Sequence, residues 1–215
     1  MLIKTPQLGR RRFVFGGLAS AGGFMLPPGL RAQALATRLA PTPPQSPGPY
    51  YPTRLPADVD NDLVVLRGSE ARAEGDVTHI LGRVLSVDGK PIEHAQIEIW
   101  QCDVHGRYLH PGSGGLRDTA FQGFGRAVSG ADGSYRFRTI RPVPYAGRTP
   151  HIHFAVSIPG RRELVTQMYV AGEPKNERDF LYRNLGDRRG AVTVQLEAAN
   201  GIERGALAGQ FDIVI

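Results

Sequence analysis

The sequence predicts an all-β protein, an antiparallel β-sandwich with long loops and a proline-rich N-terminal arm. From about Asp76 onward, short runs of residues alternate between apolar and polar side chains. Turn-forming pairs such as Asp88-Gly89 and Asp132-Gly133 separate these runs. No helical periodicity alternates with the strands, so a parallel α/β sheet is not expected. We therefore predict one domain at residues 61–215, which is long enough to enclose a proper core.

Residues 1–34 have the three parts of a secretory signal peptide. Arg10-Arg11-Arg12 is followed by an apolar, glycine-rich stretch and then by the small-residue site Ala32-Gln33-Ala34. The paired arginines favour the twin-arginine route, so we expect export to the periplasm or the exterior. The alternative is a membrane anchor, but the stretch is rich in glycine and ends at Pro27-Pro28, which makes a poor span. We expect no membrane span in the mature chain.

The basic balance of the whole chain comes mostly from this leader. Of the 26 Lys and Arg residues, five lie within residues 1–34, which leaves 21 against 20 Asp and Glu. The charge therefore gives no argument for a nucleic-acid partner. Cys102 has no second cysteine to pair with, and its apolar surroundings predict a buried thiol.

Residues 35–60 are dominated by proline, which favours an extended segment without a core of its own. The segment is either a linker or an arm that lies over the domain. The adjacent aromatic residues Tyr50 and Tyr51 favour the arm, because paired aromatics usually pack on something.

The predicted strands follow in order through the domain. They are Val77–Val87, Ala95–Cys102, Ser134–Ile140, His151–Ile158, Glu163–Val170, Ala191–Glu197 and Gly209–Ile215. Helical turns are expected only at Asn176–Asn184 and in the stretch before Asp76. The long glycine-rich stretch 106–125 is predicted as a loop, and loops of that length tend to be functional or disordered.

The strand at His151–Ile158 carries a His-x-His pair directly after Pro150. Side chains at i and i+2 project from the same face of a strand, so His151 and His153 should point one way. Ile152 and Phe154 should point the other way. Two imidazoles on a rigid strand form half of a metal site, although the alternative is a solvated pair on an edge strand.

Two tyrosines could complete such a site. Tyr145 lies on the loop just before the histidines, and Tyr108 follows the second predicted strand. A phenol has a pKa of about 10, so it ligates well only to a hard, highly charged ion that stabilises the phenolate. Fe(III) best fits two phenolates with two neutral imidazoles. From spacing alone the tyrosines could equally serve only in packing.

The chain resembles the intradiol ring-cleavage dioxygenases, the family of catechol 1,2-dioxygenase and protocatechuate 3,4-dioxygenase. The matching stretches, in the family's order, are Gly82–Leu85 to Trp100-Gln101, Gly106–Tyr108, Phe137–Pro142 and, most specifically, Pro150–Phe154. The exported leader resembles an exported branch of the family. The resemblance covers roughly residues 40–215 and implies a transthyretin-like β-sandwich.

The resemblance also implies one non-haem Fe(III), held by Tyr108, Tyr145, His151 and His153. Arg148 then matches a family arginine that lies over the substrate and stabilises developing charge. Gln167 matches a glutamine near the same place.

The implied reaction inserts O2 between the two hydroxylated carbons of a catechol-type aromatic and gives a cis,cis-muconate-type product. The stretch from Tyr145 to His151 is shorter than in the best-known members, which predicts a more open site for bulkier catechols. Which catechol is used, and whether the protein is a homodimer, stay open.

Two rival functions fit parts of the sequence. The block before Trp100 is also typical of transthyretin-like binding modules, which need no metal. A His-x-His pair alone also fits a copper or zinc protein. The other histidines are expected at the surface or in turns, except that His110 could face the site, since it lies two residues after Tyr108.

Overall fold

The computed structural model describes residues 38–159 and 161–215, without side-chain detail at 161–163. The predicted signal peptide, residues 1–34, lies outside the described residues. Within the described part the chain is almost entirely β-structure and turns. The ten strands are β1 (Val77–Leu85), β2 (Gln96–Trp100), β3 (Phe124–Val128), β4 (Ser134–Ile140), β5 (His151–Ile158), β6 (Arg161–Val170), β7 (Thr193–Val194), β8 (Glu197–Ala198), β9 (Leu207–Gln210) and β10 (Ile213–Val214).

Helical structure is confined to short connections. One α-helical turn, α1 (Phe180–Arg183), follows β6, and 3-10 turns occur at Pro111–Ser113, Asn176–Arg178 and Gly186–Val192. Asp179 caps α1, because its carboxylate accepts the backbone N–H groups of Leu181 and Tyr182. No helix in residues 38–159 or 161–215 is long and apolar enough to cross a membrane.

The strands form two five-stranded sheets. In the first, β1 pairs antiparallel with β4 on one edge and parallel with the short strands β9 and β10 on the other, and β8 pairs with β9. The second sheet has the order β3-β2-β5-β6-β7, and only its β6–β7 pair is parallel. The pairing is therefore mostly antiparallel, with short parallel additions near the C-terminus.

The main hydrophobic core takes side chains from both sheets. Ile80 of β1 and Phe137 of β4 join Ile152, Phe154 and Val156 of β5, and each is at most 1% exposed. Burying each of these side chains stabilises the fold by roughly 1.5–3 kcal/mol. Because alternate residues of β5 fill this core, the residues between them face the other side of the second sheet.

That other side carries a second hydrophobic cluster, which the proline-rich segment covers. Its buried members include Trp100, Cys102 and Tyr108, and the rings of Tyr50 and Tyr51 pack against them. The ring of Tyr51 meets Trp100 edge-on, with 5.0 Å between ring centroids. The segment therefore lies over the outer face of the second sheet.

Hydrogen bonds fasten the same segment to distant strands. The Gln45 backbone N–H donates to the carbonyl of Val165 on β6 at 2.8 Å. Thr42 donates its N–H to the carbonyl of Val214 and accepts the Val214 N–H on its hydroxyl. These bonds satisfy backbone groups that a proline-rich chain cannot satisfy within itself.

Several sequence-based expectations about local structure are wrong. The strand predicted at Ala191–Glu197 is divided, since a 3-10 turn reaches Val192 and only β7 and β8 follow it, and the strand predicted at Gly209–Ile215 is divided into β9 and β10. The stretch before Asp76 contains no helix between residues 38 and 75; it is extended, with Leu63 and Val64 buried and isolated bridges from Asp62 to Arg138 and from Val65 to Arg72. Burial of two adjacent apolar side chains there overrides the local helix preference.

A further error concerns the predicted loop 106–125, whose end belongs to strand β3. A Cβ atom on its residue Gly125 would lie 2.5 Å from a side-chain carbon of Leu63. The glycine that obscured the strand in the sequence is thus needed for the close approach of a neighbouring segment.

Candidate metal centre

His151 and His153 lie side by side on the outer face of β5. Both are 1% exposed, and their Nε2 atoms are 3.2 Å apart. Ile152 and Phe154 point into the main core, as the alternation predicts. Two ring nitrogens at this separation, both turned toward one point, match the arrangement of a pair of metal ligands.

Both histidines are held in the form that a metal requires. The Nδ1 atom of His151 is 2.6 Å from the carbonyl oxygen of Thr149, so Nδ1 carries the proton and Nε2 keeps its lone pair. Burial, followed by the positive charge of Arg148, lowers the pKa of His151 to about 4. Burial lowers the pKa of His153 well below its usual value. The imidazoles are neutral at neutral pH, which metal binding requires.

Tyr108 and Tyr145 complete a closed circle of rings with the two histidines. Around the circle, the centroid separations are 4.9 Å from Tyr108 to Tyr145, 5.4 Å from Tyr145 to His151, 4.7 Å from His151 to His153 and 6.0 Å from His153 to Tyr108. The four side chains that the sequence singled out are therefore brought together at one place.

The hydroxyl of Tyr108 is buried, and in the described part of the chain the side chain of Tyr145 is the one group that approaches it as a hydrogen-bond partner, without a well-formed bond. Burial raises the pKa of Tyr108 well above its usual value, and burial also raises that of Tyr145. A phenolate would form here only beside a strong positive charge. A buried hydroxyl without a well-formed hydrogen bond costs roughly 1–3 kcal/mol, so this position is better explained by a ligand than by packing.

Two tight local structures position the tyrosines. Tyr145 begins a turn in which the Arg148 N–H donates to the Tyr145 carbonyl at 2.7 Å. The central residues Ala146 and Gly147 have φ angles of 42° and 82°, as a type I′ turn demands. Tyr108 follows a turn organised by the buried Asp103, whose carboxylate accepts three backbone N–H groups, those of His105, Arg107 and Asp118.

Strands β2 and β6 extend the site on either side of the histidines. Gln167 lies directly opposite His153, and Tyr169 lies opposite His151, so all four share one face. On the other side, the ring of Trp100 stacks on His153 with centroids 4.9 Å apart and planes 5° apart. The neighbouring strand β2 thus fixes the plane of the His153 imidazole through Trp100.

Arg148 is fixed beside the centre by two acceptors. Its Nε donates to Asp179 at 2.6 Å, and its Nη2 donates to the Oε1 of Gln167 at 2.7 Å. Gln167 in turn donates to the carbonyl of Ser46 on the arm, and Tyr169 donates to the Oε1 of Gln45. Arg148 and Gln167, both predicted from the sequence, are therefore joined by a hydrogen bond, and further hydrogen bonds connect them to the arm.

Sequence reasoning missed Asp179, Tyr169 and Trp100 as parts of this site. A cap signal was available for Asp179, since it precedes the helical turn that begins at Phe180, but a cap is a local role. Its second role, as the partner of Arg148 and of the Thr149 N–H, joins residues about 30 positions apart and leaves no sequence pattern.

His110 takes a different position from the four ring residues. Its Nδ1 accepts the N–H of Gly112 and so caps the turn Pro111–Ser113, while its ring packs edge-on against Tyr50.

The donor set itself tests whether a metal fits. Among the described residues, no group of three or more His, Cys, Asp or Glu side chains is close enough to hold a metal ion. Two neutral imidazoles alone make an incomplete site, so a metal here would need the oxygens of Tyr108 and Tyr145. Two imidazoles with two phenols fit a hard trivalent ion better than zinc or copper.

Fold and site together define a class: a β-sheet protein with a centre of two histidines and two tyrosines on one sheet face. A family model described as "Dioxygenase" matches residues 46–215. The chain belongs to the intradiol ring-cleavage dioxygenases, a family of oxidoreductases.

Relatives with known names agree with this membership. The chain is 33% identical over 179 residues to the protocatechuate 3,4-dioxygenase beta chain of Burkholderia cepacia, covering 78% of this chain and 76% of the relative. It is 32% identical to the catechol 1,2-dioxygenase of Acinetobacter baylyi, covering 70% of this chain and only 52% of that enzyme. The chain thus spans about half the length of some relatives.

A solved structure is similar over nearly its whole length. It is the dioxygenase domain of a dioxygenase–carbohydrate-binding protein fusion from Streptomyces sp. SirexAA-E, with 32% identity and a TM-score of 0.63. The match covers 82% of this chain and 98% of that domain.

Proposed function

We propose that this protein is a non-haem Fe(III) intradiol dioxygenase that acts on a catechol-type small molecule with O2. The product would be of the cis,cis-muconate type. The observation that carries the proposal is the closed circle of Tyr108, Tyr145, His151 and His153, in which the buried Tyr108 hydroxyl is approached only by the Tyr145 side chain of the same circle. These four residues would hold one ferric ion per chain.

When bound, Fe(III) supplies Lewis-acid chemistry that makes a chelated diol reactive toward O2. The two phenols have different environments, since Tyr108 is 2% exposed whereas Tyr145 is only half-buried. A diol entering from solvent therefore reaches Tyr145 more readily, and the Tyr145 oxygen is the proton acceptor that the chain offers. Tyr108, stacked on Tyr50 at 5.0 Å, stays in place.

Arg148 supplies a fixed positive charge for the negative charge that develops on the substrate. Its Nε and Nη2 are held by Asp179 and Gln167, which leaves Nη1 without a hydrogen bond to any described residue. A preorganised guanidinium of this kind stabilises an oxyanion without reorganisation during the reaction. Gln167 acts here by positioning Arg148.

The experiment is to load the purified protein with iron, measure bound iron, and record the visible spectrum and O2 uptake with catechol. A tyrosinate–Fe(III) centre gives a burgundy charge-transfer band, which Tyr108→Phe should shift or abolish. Tyr182→Phe is the matched control, because Tyr182 is a buried tyrosine outside the circle. A colourless protein with no O2 uptake would reject the proposal in favour of a binding module, and metal binding without the band would favour a copper or zinc site.

Three finer assignments belong to the same proposal. The two sheets with one shared core support a transthyretin-like β-sandwich. The short stretch Ala146–Pro150 supports an open site for bulkier catechols. The sequence of residues 1–34 supports export by the twin-arginine route, and the protein could act as a homodimer. Cell fractionation and N-terminal sequencing test the export, and light scattering tests the dimer.

A further inference from the structure

A cavity of about 760 Å³ lies beside Tyr108, between the arm and the loop that carries this tyrosine. Residues 53–57 of the arm form one wall, and residues from 107–117 form the other. Tyr108 and His110 line the cavity, and the ring of Tyr50 packs on both of them. The cavity therefore shares a wall with the proposed metal centre.

The lining of this cavity is strongly basic. It contains Arg54, Arg107 and Arg117 and no Asp or Glu. His110 adds a further donor, because its Nδ1 accepts the N–H of Gly112 and its ring proton must then lie on Nε2. Like charges that share one cavity repel each other, and an anion placed among them would remove that repulsion.

The three arginines are also free of ion pairs within the described part of the chain. Arg107 and Arg117 instead donate to backbone carbonyls, those of Ser113 for the first and of Asp118 and Phe121 for the second. These bonds fix the direction of two guanidinium groups while leaving their charge uncompensated. Arg148 at the centre differs, since Asp179 neutralises it.

The shape of the cavity indicates more than a site for a small ion. Its volume lies in the range of pockets that hold whole organic molecules, and the side chain of Leu55, which is 41% exposed, adds an apolar surface. A single diol ring bound at the metal centre would not fill it. An elongated molecule with a diol ring at one end and an anionic group at the other would suit both sites. The ring would lie at the proposed metal centre and the anionic group in the basic cavity.

We infer that this cavity is a subsite for the carboxylate of an acidic catechol-type substrate, carried on a side chain of the diol ring. The inference rests on the proposed function for the position of the ring. Arg54 and Arg117 bind the carboxylate through charge-assisted hydrogen bonds, and Leu55 packs against the connecting carbons. Substrates with an acidic side chain are therefore preferred over neutral ones of the same shape.

The test compares 3-(3,4-dihydroxyphenyl)propanoate with its methyl ester by O2 uptake with the iron-loaded full-length protein. We expect a higher kcat/KM for the acid, and added salt should weaken this preference. In Arg54→Gln and in Arg117→Gln, the ratio of kcat/KM for acid over ester should fall about tenfold, as expected for loss of a charged hydrogen bond. Arg136→Gln is the control, because Arg136 is exposed and lines a different cavity.

A ratio that stays at the wild-type value in both arginine variants, or that falls equally in Arg136→Gln, would overturn the inference. If neither compound is consumed, the proposed function has failed and the subsite is judged by binding alone. Calorimetry with 3-phenylpropanoate, which has no diol, should then show binding to the wild-type protein that weakens in Arg54→Gln. No binding, or equal binding of the neutral amide, would refute the subsite.

Discussion

Replacing Asp179 by Asn removes the negative charge of this side chain while keeping its size, so the variant measures what the charge contributes. Asp179 has a side chain that is 0% exposed and pairs with Arg148, whose side chain is 15% exposed. Asn is as good a helix cap as Asp, so the bonds from the N–H groups of Leu181 and Tyr182 should survive. The ion pair is lost, and the new amide group faces the donors of Arg148 and Thr149.

The magnitude follows from the burial of the pair. Removing one partner of a buried ion pair costs roughly 3–5 kcal/mol, because the other charge stays behind unpaired. Arg148 keeps some contact with solvent, so we expect the lower end, about 3 kcal/mol. For a chain of this size that loss lowers the melting temperature by roughly 6–12 °C. Activity should fall as well, since Arg148 loses one of its two fixed acceptors.

The assay is urea unfolding of the metal-free protein, so that metal binding does not add to the apparent stability. Asp187→Asn is the matched control, because Asp187 is exposed and forms no ion pair in the described part of the chain; its effect should stay within about 0.5 kcal/mol. A double-mutant cycle with Arg148→Gln measures the coupling of the pair. Loss of less than about 1 kcal/mol in Asp179→Asn, with no coupling to Arg148, would refute this account.

Two further predictions concern a phenol and a surface charge network. Tyr108→Phe should change the stability of the metal-free protein by no more than about 1 kcal/mol, since the removed hydroxyl is buried with only the Tyr145 side chain near it, while iron binding is lost. Urea unfolding and iron analysis check this, and clear destabilisation would count against it. Hydrogen bonds from Arg138, with burial opposing them, lower the pKa of Glu203 to about 2 from its ordinary 4.5. This carboxylate therefore stabilises the fold above pH 4.5, and the contribution, which solvent screening reduces, is lost as the pH falls toward 2. The free energy of unfolding, measured across that pH range, should depend less on pH in Glu203→Gln than in the wild type. An unchanged pH profile would contradict the assignment.

The elements predictable from sequence were those whose pattern is local. Strand β5 begins and ends as predicted, because the run after Pro150 is continuous and β-branched or aromatic residues dominate it. Strand β4, with Tyr135, Phe137 and Thr139 buried on one face, was predicted with the same bounds. In both cases alternation alone fixes which side chains face the core.

The remaining features depend on partners far away in the chain. Strand β3 exists because it pairs with the edge of β2, and its second residue, Gly125, carries no strand signal. The short strands β9 and β10 form because they pair in parallel with β1. Asp179 could be identified from its sequence as a cap, but its pairing with Arg148 arises only when the loop after β6 folds back over the turn before β5.

The hydrogen bonds between the arm and the body of the protein have a kinetic consequence. Thr42 and Val214 are bonded across 172 positions, and Gln45 reaches Gln167 and Tyr169 across more than 120. Contacts between such distant positions form late, because the chain must first give up the freedom of a very long loop. We expect the arm to dock after the two sheets are assembled. Until it docks, the proposed metal centre is uncovered, and an iron ion from solution can enter it. Pulsed hydrogen exchange during refolding would show slow protection at Gln45 and Thr42, and early protection there would exclude this order of events.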